Sequence, residues 1–261
     1  MNKLLIIIAT IFFLPIETDA PGTHSAFRGG EWFQFRIHYG IFNASYATLS
    51  VNETSLNGKD VYHVVGKGST TGLARVFFKV DDNYESYFDK EKLVPYKFIR
   101  QIDEGGYTKD LEINFKHDQD KAVVLNRKHN RTTVIETPDG IQDLISAFYY
   151  LRNNYDFSSF KIGQEVDLEL LYDDDEVFNF RLRFLGWQTL NTKFGKVRCL
   201  KFRPYVQSGR IFKEKESVTL WVSDDDNRIP IRIQADLVIG SLKADLNAFK
   251  GLKHQFKIQL D

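Results

Sequence analysis

The chain has 261 residues, 35 basic and 35 acidic, so no bulk charge draws it to nucleic acid or to an anionic membrane; only local patches can do so. A single cysteine, Cys199, excludes an intramolecular disulfide, and six scattered histidines lack the close spacing of a metal site, so neither metal nor cofactor is expected. Aromatic residues are abundant, led by 22 Phe and 12 Tyr against one Met, a composition that favours stiff sheets over adaptable helical grooves.

Lys3 followed by the apolar run 4–14 makes a charged segment and a hydrophobic segment too short to span a bilayer, so residues 1–20 are expected to be a secretory signal peptide ending near Ala20. A flexible stretch is expected over 21–30. No cysteine stands at the export junction. The mature chain is therefore expected in the periplasm or outside the cell, without a lipid anchor or a transmembrane segment, as a single β-rich domain over 31–261.

From Glu31 onward the rhythm is that of strands. Phe33, Phe35, Ile37 and Tyr39 share one parity, with Gln34, Arg36 and His38 on the other, as in a strand with one buried face. Further runs at 44–51, 61–65, 84–88, 96–102 and 111–115 are separated by Asn57-Gly58, Asp81-Asp82-Asn83 and Gly105-Gly106, turn chemistries suited to hairpins. The pattern resumes at 166–171, 178–184, 197–202, 217–222, 229–235 and 241–249. Between the two stretches, Ile141, Leu144, Ile145, Phe148, Tyr149 and Leu151 recur at helical spacing. Asp139 as cap with Gln142 three residues later predicts an amphipathic helix over 139–154, covering a sheet face or a barrel mouth.

The two β-rich stretches resemble each other at a constant offset of 135 residues. Arg75, Phe77, Asp89, Pro95, Gly105, Asp110 and Leu111 then coincide with Arg210, Phe212, Asp224, Pro230, Gly240, Asp245 and Leu246. This predicts two related halves, about 31–137 and 155–250, in an antiparallel β-sandwich or open barrel with the helix between them. Each proline is expected to open the second strand of a hairpin, where it gives up no ladder bond. Chance agreement between two hairpins with common turn residues is the competing explanation.

No catalytic motif is present: there is no nucleophile elbow, Walker loop or dinucleotide fingerprint. The acidic runs 173–176 and 224–227 lie between strands and read as solvated turns. Cys199 alternates as a small core residue. The candidates for ligand contact are Arg75 and Arg210, which would grip an anionic head group if they converge, and Tyr149 with Arg152 at the end of the helix. Each is also explained by an ordinary role in packing or surface pairing.

Several segments together resemble one family. Gly30-Glu31 leading through Tyr39-Gly40 into 44–51, the helix residues 143–152, and the closing segments 220–230 and 240–246 are similar to the exported bacterial family called domain of unknown function 3108. The resemblance implies a β-rich protein of the Gram-negative envelope, and it carries over no catalytic residue.

Three functions are weighed. The first is a non-enzymatic binding or carrier module, whose curved sheets enclose an aromatic-lined cavity for an apolar or amphipathic envelope molecule such as a lipid. The second is a scaffold or assembly factor that binds another envelope protein and keeps a packed interior. The third, a glycan hydrolase, needs two inward carboxylates in a cleft.

Overall fold

The structure, a computed structural model, describes residues 25–72, 75, 79–205, 218–237 and 239–259; the expected leader lies outside them. The first half of the described chain supplies β1 (Trp32–Tyr39), β2 (Phe42–Leu56), β3 (Lys59–Thr70), β4 (Val80–Asp89), β5 (Pro95–Glu104) and β6 (Tyr107–Lys116). Two short strands follow, β7 (Lys121–Asn126) and β8 (Arg131–Glu136), then the helix α1 (Leu144–Asn154). The second half supplies β9 (Glu165–Leu170), β10 (Phe178–Thr192), β11 (Gly195–Tyr205), β12 (Val218–Ser223), β13 (Pro230–Asp236) and β14 (Ser241–Lys250).

The fourteen strands among the described residues form one antiparallel sheet in the order β8-β7-β6-β5-β4-β3-β2-β1-β14-β13-β12-β11-β10-β9. The protein is mainly β and open: β8 and β9 are edges of the sheet. Of the two architectures expected, the open barrel is the one found. β1 pairs with β14 along its whole length, which joins the halves into one sheet instead of two stacked ones. Sliding β1–β6 by 135 residues lays each over β9–β14 to within three residues at its first position. Pro95 and Pro230 do open β5 and β13, and each hairpin carries a register irregularity immediately after its proline, at Tyr96 and Ile231.

Several boundaries differ from the sequence expectation. Asp81-Asp82-Asn83 is not a turn but the body of β4. Asp81 is paired with Arg75 and Lys79, and Asp82 accepts a bond from the backbone of Asp103 on β5, so both carboxylates have partners where they stand in the strand. β10 runs eight residues past the expected end at 184, because Gly186 adopts φ 108° and absorbs a bulge where a break was anticipated. β7 and β8 were not expected: β7 is an unbroken Ala-Val-Val-Leu run, and β8 keeps no residue buried, so neither shows a clean period of two.

The helix begins five residues later than 139. Gly140 is left-handed at φ 74°, and Gln142 forms a bridge to Leu170 on β9 that holds the chain extended. The cap is Asp143, whose carboxylate accepts from the backbone N–H groups of Ile145 and Ser146, while Ser146 Oγ accepts from the Asp143 N–H. Ser86 Oγ of β4 also donates to Asp143 at 2.6 Å, pinning the helix start to the sheet. The buried face is rotated from expectation. Leu144 is exposed and Phe148 only half-buried, while Tyr149, Ile145, Leu151 and Arg152 face inward.

Three apolar clusters fill the interior. Under α1, Phe27, Phe88, Phe98, Ile113 and Tyr149 pack together. Phe33, Phe35, Val197, Cys199, Trp221 and Leu246 form a second cluster across the join of the halves, and Phe157, Phe184, Leu200 and Phe202 a third. Cys199 is the small core residue expected, and burial pushes its thiol up to about 12. Residues 25–30 are not the loose segment expected over 21–30. Ala26 and Phe27 are fully buried, with the Phe27 ring 4.5 Å from that of Tyr149.

Candidate functional site

The strand register puts two hairpin turns side by side at one end of the sheet. Tyr39, the last residue of β1, lies opposite both Phe42 of β2 and Leu242 of β14, so the β1–β2 turn and the β13–β14 turn are neighbours at the seam between the halves. Tyr39 Oη donates to the Ile239 carbonyl at 2.9 Å. Gly240 has φ +72°, and an added Cβ there would lie 2.7 Å from Tyr39 Oη, so only glycine lets the two tips pack. Turns are ordinarily polar, yet these carry large apolar side chains in solvent: Ile41 is 89%, Ile239 78% and Phe42 71% exposed. Leu237 and Leu242 flank them, both partly exposed.

Three residues back along the same strands, about 10 Å at strand rise, the surface becomes cationic. Arg36 of β1 and Arg232 of β13 both sit directly opposite Asp245 of β14. Asp245 bonds Arg232 Nε and, at 2.8 Å, His38 Nε2; burial raises its carboxyl, but these two partners hold it below the usual range. His38 Nδ1 contacts the Gly40 carbonyl at 2.9 Å, tying this network to the β1–β2 turn. The tip of the β10–β11 hairpin reaches over β14, where Lys193 Nζ donates to Asn247 at 3.1 Å. Together Arg36, Arg232, Lys193, Asp245 and Asn247 line a cleft of about 460 Å³, which also borders the buried Ile231 and Leu246. Three cations thus face one carboxylate.

The sequence candidates fall elsewhere. Arg75 makes a two-bond exposed pair with Asp81, at 2.8 and 2.7 Å. Arg210, its repeat counterpart, lies outside the described residues. Tyr149 is fully buried, and Arg152 is closed to solvent: it donates to both oxygens of Glu31 at 2.7 and 2.8 Å and to the carbonyls of Asn227 and Ala26. Both belong to the packing under α1. Arg36, Lys193 and Arg232 were not anticipated as a group, because they lie on three strands' worth of separate sequence. The apolar turns carried a readable signal, since Gly40-Ile41-Phe42 and Ile239-Gly240 put isoleucine where turn chemistry favours polar residues.

The acidic run at 173 is also not a solvated turn. Asp173 bonds Arg100 and Lys109, and Asp174 bonds Asn126 and Arg131, strapping the β9–β10 connection to β5–β8. Asp225 accepts from Ser223 Oγ and from the N–H groups of Asn227 and Arg228, which makes the second acidic run a locked turn. Burial, with the negative charge of Glu104 nearby, pushes Asp82 up to about 6. No group of three or more His, Cys, Asp or Glu among the described residues is placed to hold a metal ion, and no helix among them is long and apolar enough to cross a membrane.

Comparison with known proteins gives one family and one shared fold. A family model described as protein of unknown function (DUF3108) matches residues 34–247. A β-barrel-like protein of domain of unknown function DUF1849 from Brucella abortus is similar in structure, with TM-score 0.56 and 10% identity, covering 87% of this chain and 99% of that one. A DUF1089 family protein from Pseudomonas aeruginosa matches with TM-score 0.36 and 10% identity, over 71% of this chain and 87% of its own. No curated protein matches.

Proposed function

The chain belongs to the DUF3108 family, and from that premise we propose that it is an exported, non-enzymatic binding module that docks reversibly on an anionic lipid surface of the cell envelope through the seam end of its sheet. The observation that carries this reading is the pair of adjacent hairpin tips with Ile41, Phe42 and Ile239 in solvent. Tips project, so they suit insertion into a soft medium better than packing on a flat protein face. Burying a side chain of this size contributes about 1.5–3 kcal/mol, and three of them support attachment without making it permanent. The cations about 10 Å behind the tips fit the same reading, because apolar groups inserted 5–10 Å past the headgroup boundary bring that level to the lipid phosphates.

Export rests on the leader reading of residues 1–20. The hollow-carrier form of the expectation gains no support, since Phe27, Phe88 and Tyr149 occupy the space under α1. Binding is therefore proposed at the surface.

Flotation with phosphatidylglycerol vesicles tests the docking. Wild type should float, and Ile41→Ser with Phe42→Ser should lower the bound fraction about 10-fold or more without moving the urea midpoint. Wild type that stays at the bottom of the gradient overturns the reading, as does a double variant that floats normally. Mass analysis of protein recovered from the producing cell tests export; a chain still starting at Met1 and confined to the cytoplasm sinks that part.

A second reading, an assembly factor, is favoured by the β8 edge. This strand pairs on one side only, with β7, and Val134 on it is exposed. An extended segment of an envelope protein would add there by backbone hydrogen bonds. Val134→Pro would abolish such pairing, and a partner still bound by that variant speaks against it.

A further inference from the structure

We propose that the seam cleft is a site for a phosphate-class anion, a phosphate mono- or diester, with Arg36 as its principal ligand. This deepens the docking reading by naming the chemistry recognised there, and it stands on observations separate from the apolar tips.

The first observation is a carboxylate with an arginine directly across from it on each side that pairs with only one of them. Asp245 lies directly across the strand from Arg36, the place where a compensating charge belongs, yet its two oxygens go to Arg232 and His38. Arg36 is half-buried and has no hydrogen bond or ion pair with the described residues. A guanidinium in that position keeps its planar fork of donors free, the geometry that matches two oxygens of a phosphate. The second observation is Lys193, which arrives from a hairpin far away in sequence and is held at the cleft by the neutral Asn247, so its charge is not compensated there. Two uncompensated cations in one concave space repel each other, and an anion between them relieves the repulsion. The third is the space itself. A cleft of about 460 Å³ exceeds what a bare ion needs and falls within the range of small-molecule sites, which leaves room for the organic part of an ester.

A lone solvated arginine on a strand would show the first feature but neither of the others. The network around Asp245 also gives Arg232 and His38 a positioning role: they hold the carboxylate away from Arg36.

The test is a titration of the purified protein with inorganic phosphate, followed by amide chemical shifts and calorimetry. Saturable shifts are expected at Arg36, Lys193, Asp245 and Asn247. Arg36→Gln should weaken binding about 10-fold or more, the loss expected when charge-assisted hydrogen bonds are removed. Arg198→Gln, which removes an exposed arginine paired with Asp224, should bind as wild type. If Arg36→Gln is poorly folded, Lys193→Gln carries the same expectation. Shifts without saturation, shifts spread over the surface, or wild-type affinity in both cleft variants overturn the proposal. Two vesicle arms then identify the source. Displacement of phosphate by phosphatidylglycerol vesicles but not by phosphatidylcholine vesicles assigns a lipid headgroup, and displacement by neither assigns a soluble phosphoester. Failure of the docking reading appears as lost flotation with phosphate binding intact. Failure of the cleft appears as flotation that persists with no phosphate bound.

Discussion

Arg152 and Arg36 sit in two regions that treat positive charge in opposite ways. Under α1, the Arg152 guanidinium is enclosed by the rings of Phe27, Phe33, Phe148 and Tyr149, all within 5.2–5.8 Å, and its donors meet Glu31 and two backbone carbonyls. At the seam, Arg36 is half in solvent and meets none of these. A charge removed from water must be satisfied inside the fold, so the first region ties together the N-terminal segment, the helix and the turn before β13. A charge left partly in water carries no such obligation and stays available to a ligand. Burial therefore separates the arginine that builds the protein from the one that can bind.

Removing the enclosed charge should have the largest effect. Arg152→Met leaves Glu31 buried without a partner and should cost about 3–5 kcal/mol, read as a lower urea midpoint. Adding Glu31→Leu to that variant should restore most of the loss; a double variant no better than the single one would show that the pair supplies more than charge neutralisation. Tyr149→Ala, a cavity among Phe27 and Phe88, should cost a similar 3–5 kcal/mol. By contrast, Tyr149→Phe should be neutral or slightly stabilising, because the buried hydroxyl has no hydrogen-bond partner. A clear loss in that variant would place a water on the hydroxyl.

A smaller effect is expected at the helix start. Burial pushes the Asp143 carboxyl up to about 6 from its ordinary 3.8, against the opposing pull of bonds from Ser86, Ser146 and Ile145. The folded state then holds this proton more tightly than the unfolded chain does. The group's contribution is complete below pH 3.8 and is lost as pH rises through about 6. Asp143→Asn keeps the acceptor that caps the helix and should make the stability profile between pH 4 and 7 less steep, leaving the slope that Asp82, also raised to about 6, contributes; a profile as steep as wild type would assign the slope to Asp82 or another group. The smallest effect belongs to the open charge: Arg36→Gln should move stability by no more than about 0.5 kcal/mol. A larger loss would make Arg36 a second structural arginine and erase the contrast between the two regions.

The sequence by itself determined the elements whose cause is local. Period-two apolar patterning marked twelve of the strands, Asn57-Gly58 and Gly105-Gly106 marked two turns, and the offset of 135 residues marked the repeated plan, all from neighbours a few residues apart. The class followed, mainly β with two related halves; that these make one open sheet and not a sandwich was decided by the pairing of β1 with β14. Local cues misled where a tertiary partner took over: Asp81-Asp82-Asn83 reads as a turn until Arg75, Lys79 and Asp103 hold it in β4, and Asp139 reads as a cap until Gln142 is drawn to Leu170 of β9. The site was decided by tertiary structure almost entirely. Glu31 and Arg152 are 121 residues apart in sequence, and Arg36 meets Asp245 only because β1 pairs with β14 across the join of the halves. A side chain's type and spacing say which interactions it can make. Which of them it does make, and so whether an arginine is buried and neutralised or left open to an anion, depends on which distant strand the sheet brings beside it.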